Sequence, residues 1–288
     1  RPDEDQQSAE NFGYSHNVIG SEKLLEKIYD ENDNYVDQPS FVRARLFDIF
    51  IGDWGRHPDN WRWAEFKNEK HNLYRPVPRD RDQAYSKIDG LYPNLVGSLP
   101  SRSEIQGFNY TIKRVGRWNL AGRPLDQKFL NEMELDEWIT QAKELQRVLT
   151  DSLIESSIRF MPPALFAISG EEIIAKLKSR RNDLQRYAKE HYEYLAKTVT
   201  ILGSERTEKI EITALPGKKV AVDVFKINKY GNIIDTPFYS RRFNAEETKD
   251  IFIYGLGKRD IISVSGEKKN KIHVRNIDPQ DKDSIYLI

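Results

Sequence analysis

The chain has 288 residues, 38% hydrophobic and 31% charged, with 45 Lys+Arg against 45 Asp+Glu and no cysteine. That length accommodates two domains with separate cores, and the even charge balance gives no global field for nucleic acid or an acidic membrane. Disulfides, thiolate metal sites and cysteine nucleophiles are excluded, and no apolar run approaches the roughly 18–20 residues that span a bilayer.

Residues 1–20 are polar and irregular and read as a tail or as an edge segment torn from its partner. Opening on Arg1-Pro2-Asp3-Glu4-Asp5 without Met, the chain reads as a piece of something larger. Ser21 to Tyr29 predicts a short helix, with Ser21 as N-cap and Leu24, Leu25 and Ile28 on one face. Gln38 to Ile51 predicts a stronger helix, apolar around so much of its circumference that it should be buried on most sides, ending at Gly52. Trp61-Arg62-Trp63 begins an alternating strand, and Asn72 to Val77 is its expected hairpin partner.

Residues 86–124 are rich in Gly, Pro and Ser and hold little periodic pattern. A long helix follows, with apolar residues at helical spacing from Leu135 to Leu153, stopped by Pro162-Pro163. Ser169 or Gly170 starts another, carrying Ile173, Leu177, Leu184, Ala188 and Leu195 on one stripe; the two are expected to pair. After Gly203 the texture changes to six alternating segments beginning at Lys209, Lys219, Pro237, Asp250, Asp260 and Lys271. Turn signals separate them, which predicts a small antiparallel sandwich. The expected architecture is α+β: a mainly helical domain over residues 1–203 with a small hairpin, then a β-sandwich over 204–288.

Chemistry concentrates on either side of the hairpin. Asp53-Trp54-Gly55-Arg56-His57-Pro58-Asp59-Asn60 precedes it, and Pro78-Arg79-Asp80-Arg81-Asp82 follows it. One or two carboxylates with an amide suit Mg²⁺, so Asn60 and Asp80 are candidate metal ligands with Asp82 assisting. Asp53, His57 or Asp59 could position or deprotonate a hydroxyl, and Arg56 or Arg79 could hold a phosphate. In the competing reading these residues hold one another, with Arg56 and Asp80 as a structural ion pair. The remaining histidines are scattered, and Trp54, Trp61, Trp63 and Trp118 read as packing rather than as a platform for a base or sugar. The basic run Lys176–Arg181 reads as a solvated helix face, and Arg241-Arg242 as a strand edge.

The two clusters resemble the catalytic and metal-binding loops of atypical kinase-like folds. Phosphoinositide kinases carry an Asp-Arg-His-x-x-Asn loop, a hairpin and a metal-binding Asp; spore-coat kinases carry a Pro-Trp-Asp-x-Asp element similar to Pro78–Asp82. The resemblance implies a kinase C-lobe-like helical domain, Asn60 and Asp80 as Mg²⁺ ligands, and ATP or another phosphate-bearing small molecule as partner. The chain departs from the pattern at Gly55, which stands where the catalytic Asp precedes Arg-His, and it lacks a glycine-rich loop and a nucleotide-clamping Lys.

A broader similarity covers most of the chain. Arg43-Ala44-Arg45-Leu46-Phe47-Asp48, the two clusters, Arg242-Phe243, Glu247-Thr248, Ile253-Tyr254-Gly255-Leu256-Gly257 and Val274-Arg275 resemble the central region of large bacterial envelope proteins. Those proteins combine a calcineurin-like metallophosphoesterase domain with a surface-antigen outer-membrane barrel. This implies a periplasmic or outer-membrane-associated location. Two functions therefore stand as expectations. One is a metal-dependent, kinase-like phosphotransfer or nucleotide-binding module. The other is a non-catalytic envelope module with structural or Ca²⁺-binding acidic loops and a sandwich that binds a protein or glycan.

Overall fold

The computed structural model describes residues 13–67, 71–88, 106–256, 259–266, 271–277 and 284–287. The N-terminal residues 1–12 and much of the expected irregular region, 89–105, lie outside the described residues. The chain is α+β.

Its first half is built on β1 (Asn17–Gly20), α1 (Ser21–Asp30), β2 (Asn34–Val36), α2 (Gln38–Ile51), β3 (Trp61–Lys67) and β4 (Asn72–Pro78). The α2 helix starts where the Asp37 carboxylate accepts the Ser40 N–H at 3.1 Å. It ends at Gly52, whose left-handed φ of 80° suits a residue without Cβ. Phe41, Val42, Leu46 and Ile49 are completely buried, as its apolar circumference requires. The four strands form one sheet in the order β1-β3-β4-β2. Residues 17–20, within the stretch read as a tail or an edge segment, form the edge strand β1 and pair antiparallel with β3. Ser21 does not cap α1: its backbone is already helical and its hydroxyl donates to the Pro58 carbonyl at 2.8 Å while accepting the Trp63 indole N–H.

Both long helices are broken. The first divides into α4 (Leu135–Val148) and α5 (Asp151–Ile158), because the Thr150 hydroxyl accepts the Leu153 N–H and starts a new helix. The second divides at Asp183 into α6 (Glu171–Asn182) and α7 (Leu184–Ala196). With α3 (Arg123–Phe129) they pack so that α7 lies against α4 and α6 against α5. One apolar core runs from Leu24 and Trp61 through Trp138 to Leu184 and Tyr187.

The second half holds β5 (Thr198–Leu202), β6 (Glu208–Leu215), β7 (Lys219–Lys226), β8 (Tyr239–Asn244), β9 (Asp250–Tyr254), β10 (Ile261–Gly266), β11 (His273–Ile277) and β12 (Ser284–Leu287). They make a sheet ordered β12-β10-β6-β7-β8 and another ordered β11-β9-β5, and Val199, Ile212, Val222, Phe243, Ile251 and Ile262 meet in one core. The expected antiparallel pairing holds only for β6-β7-β8. Strand β10 runs parallel to β6 and β12, and β9 runs parallel to β5 and β11. From β9 onward the chain alternates between the sheets, so each strand re-enters its sheet in the same direction.

The two halves meet along a polar seam. The Asn32 amide donates to Glu208, Lys226 pairs with Asp33, and Arg206 pairs with Glu31. Asn131 accepts from Arg241 and Tyr239 through its carbonyl and donates to the Thr200 carbonyl. Glu208 is fully buried, and burial pushes its carboxyl up from 4.5 to about 7 against the opposing hydrogen bonds from Ser204 and Asn32. Glu132, beside Gln38 on the same seam, is likewise pushed by burial to about 7. A folded chain that holds a proton more tightly than the unfolded chain is favoured most below the unfolded pKa, and that advantage is lost as pH rises through the folded one. Glu208→Gln is therefore expected to flatten the fall in unfolding midpoint between about pH 5 and pH 8. A thermal-melt series in which the variant declines as steeply as the parent would rule Glu208 out as the source.

Candidate functional site

The loop between α2 and β3 is held from below before any chemistry is considered. Arg180 is 1% exposed and donates to the Ile49 and Phe50 carbonyls at the end of α2, at 2.5 and 2.8 Å, with its face on the Phe108 ring. A cation here complements the negative end of the helix. Burial lowers the Arg180 pKa to about 10, against the weaker opposing pull of Tyr187 and Asp183. Lys176 and Arg180 thus belong to the interior and not to a solvated face, since the irregular segment at Phe108 and Asn109 folds over them and presents carbonyls.

Above this floor, Arg56 organises both clusters. Its guanidinium is completely buried; Nη2 donates to the Asn60 carbonyl, and Nη1 donates to the carbonyls of Arg79 and Asp80 and to the Asp53 carboxylate. Nε lies 3.3 Å from Asp48, and the Trp61 ring covers one face with its centroid 4.7 Å away. The hairpin register, with Trp61 opposite Pro78, sets Arg79 against Asn60, and the Arg79 N–H donates to the Asn60 carbonyl at 2.8 Å. Arg56 is therefore a clasp between the two loops, and its described donors are directed inward.

Asp48, absent from the sequence-level candidates, is the centre of the charge pattern. One of its oxygens sits 3.4 Å from Arg45 and 3.3 Å from Arg56, and the other accepts from Arg81 at 3.0 Å. Arg45 continues inward to Asp126 on α3 at 2.8 Å and to the Asn119 amide oxygen; Asp126 then meets His191 on α7 at 2.9 Å. Burial pushes the Asp48 carboxyl up, and its three guanidiniums oppose that. For Asp126 burial also acts upward, but Arg45 and His191 outweigh it and bring the carboxyl below its ordinary value. In sequence Arg45 and Asp48 merely sit one helical turn apart on an apolar helix, which was the available signal.

The candidate residues divide into two groups. Asp53 is 1% exposed, tied to Arg56, with its carboxyl raised by burial and one oxygen, Oδ1, without a hydrogen-bond partner among the described residues. Asn60 is buried, and its Oδ1 accepts the His57 N–H at 3.0 Å within the Pro58–Asn60 turn. His57, Asp59, Asp80 and Asp82 are exposed, with the His57 ring 3.8 Å from Asp59. Asp80 contributes its backbone, with φ of 54°, and not an ion pair to Arg56; the structural pair anticipated there is Arg56 with Asp48 and Asp53. Trp61 and Trp63 are fully buried against Phe41, and Trp118 is buried too, so they offer no platform.

This donor set does not fit a divalent ion well. Asn60 is buried and occupied by the turn it closes, while Asp80 and Asp82 are exposed beyond the next strand. Among the described residues no three His, Asp or Glu side chains gather closely enough to share a metal. Comparison with known protein families, curated proteins and solved structures returns no match.

Breaking a buried ion pair costs about 3–5 kcal/mol, whereas exposed substitutions stay within about 0.5 kcal/mol. Arg56→Met is expected to lose stability on the larger scale. Asp80→Gly, at an exposed left-handed position, should be neutral or slightly stabilising. Urea unfolding of both variants checks this; equal losses would show that Asp80 carries a structural contact through its side chain.

Proposed function

We propose that this chain is a non-catalytic module of a bacterial cell-envelope protein, in which kinase-like loops serve as a structural clasp. The observation that carries this is the inward engagement of Arg56 with Asp48, Asp53 and three carbonyls, in a loop that has Gly55 where a kinase-like base would stand. A Cβ built on Gly55 lies 3.0 Å from Gln83, so the loop is packed around the small residue. The helical half is then a divergent kinase C-lobe, and the facing sheets are a sandwich whose partner is an envelope protein or a glycan. Periplasmic or outer-membrane-associated placement belongs to the same proposal and rests only on the motif resemblance described under Sequence analysis. No helix among the described residues is long and apolar enough to cross a membrane.

The second reading, a nucleotide-binding or phosphotransfer module using Mg²⁺ and ATP, draws support from one feature. Asp53 keeps a buried, unpartnered carboxylate oxygen next to Gly55, in the loop that also exposes His57 and Asp59. A base confined beneath Arg56 and without a fitted metal has no substrate within reach, so this reading stands second. A structural Ca²⁺ ion in these acidic loops meets the same obstacle, since among the described residues no three carboxylates gather closely enough to hold it.

Calorimetric titration with ATP, in the presence and absence of Mg²⁺, separates the readings. The module reading expects no Mg²⁺-dependent nucleotide binding and no difference between the parent and Asp80→Ala. Mg²⁺-dependent binding abolished by Asp80→Ala, with the unfolding midpoint retained, would overturn it in favour of the enzyme.

A further inference from the structure

A second group of arginines lies outside the clasp. A groove of about 340 Å³ between α2, α4 and the end of β4 is rimmed by Arg43, Arg75, Arg81 and Ser40 and floored in part by Phe47 and Pro76. Each guanidinium is anchored by its inner edge. Arg81 Nε donates to buried Asp48 at 3.0 Å while the group stacks on Phe47, its centroid 4.9 Å away. Arg75 Nε donates to Asp37 at 3.1 Å and stacks 4.7 Å over Phe66. Arg43 uses Nε and Nη2 on the neutral Gln141 oxygen.

This leaves the terminal nitrogens of Arg75 and Arg81, and Nη1 of Arg43, without an acceptor among the described residues. Among the described residues Arg43 has no carboxylate at ion-pair distance; Glu144, which feels its charge, is bound by Arg147. Stacking and one-edge anchoring fix the planes of two guanidiniums in advance, so less rotamer freedom is lost when a ligand binds. Arg81 is also the one member of the buried charge chain whose outer edge reaches solvent, being 30% exposed where Arg45 and Arg56 are fully buried.

We propose that this groove is a binding site for a phosphate monoester. A carboxylate is satisfied by one fork, whereas a phosphate offers three acceptor oxygens and a charge of roughly −1.5 to −2, matching three separate guanidinium edges around one cleft. The apolar floor of Phe47 and Pro76 receives the organic group of the ester. The site goes beyond the clasp reading: Arg43 and Arg75 belong to neither loop cluster, and only Arg81 is shared with the clasp, through Asp48.

The test is calorimetric titration of the whole chain with phenyl phosphate, inorganic phosphate and acetate at matched ionic strength. Parent protein is compared with the double variant Arg43→Gln/Arg75→Gln and with Arg75→Lys. Both positions are exposed, and an unchanged unfolding midpoint confirms that the variants fold. Saturable binding of phenyl phosphate is expected, tighter than inorganic phosphate, with acetate weakest and the double variant weaker by at least about tenfold. Arg75→Lys should fall between, since it keeps the charge and loses the fork. No saturable heat with phenyl phosphate, or equal affinity in parent and double variant, would overturn the site. Inorganic phosphate binding as tightly as phenyl phosphate would overturn the ester and assign the groove to the free ion. ATP held here would not need Mg²⁺ or Asp80, so this outcome and that of the nucleotide titration remain distinguishable.

Discussion

A carboxylate at zero exposure on an apolar helix is the constraint around which the first half of this chain is arranged. Asp48 cannot stay charged in the core alone, because the effective penalty for burying an ion is several kcal/mol. It draws in Arg45 from its own helix, Arg56 from the next loop and Arg81 from beyond the hairpin. Each cation then needs further compensation, supplied by Asp126 for Arg45 and by Asp53 for Arg56. Three guanidiniums and three carboxylates thereby form one continuous chain, buried except at Arg81, with His191 as its far end. Such a chain contributes less to stability than an apolar core of the same volume. It does specify which loop lies on which, because any other arrangement leaves a charge unpaired.

The close approaches around this chain follow from the same constraint. A Cβ built on Gly122 would lie 2.1 Å from the Arg45 guanidinium, which cannot move aside because Asp126 and Asp48 hold it from both directions. The seam between the two halves uses a softer version of the arrangement. Glu208 is buried among neutral donors, so it retains a proton up to about pH 7 where the Asp48 group relies on charge compensation. The two ends of the molecule therefore handle buried carboxylates by opposite means: ionic pairing in the clasp, protonation at the seam.

Local pattern revealed the elements that local forces decide. The apolar girth of α2, its Gly52 stop and the alternation of β3 and β4 could all be read from the chain, as could six strands of the second half. The break at Thr150 had a legible signal, an N-cap hydroxyl followed by Asp, which an uninterrupted apolar stripe from Leu135 to Leu153 concealed. Strand direction was not legible, because alternation has the same period in either sense and only the path between sheets makes β9 parallel to β5. Arg241, expected on an edge, is indeed in edge strand β8 but is 5% exposed, since its guanidinium crosses the seam to Asn131.

For the site, the same limit acted more strongly. His57, Asp59, Asp80 and Asp82 attract notice because polar residues crowd a short stretch, yet crowding of that kind is what a solvated loop also shows. Arg45 and Asp48 on α2, Asp126 on α3 and His191 on α7 belong to three elements distant in the chain that otherwise look like plain core, and only the tertiary fold brings them together. Arg56 belonged to both groups, which is why its residue type was noticed and its role was not. A guanidinium with five donors suits phosphate and suits a cluster of backbone carbonyls equally well. What decides between them is burial, and burial here follows from Asp48, one turn into the preceding helix. The arginines that keep an edge open, Arg75 and Arg81, are those whose other edge the same carboxylate logic has already fixed, so the internal clasp also holds an outward-facing anion groove in place.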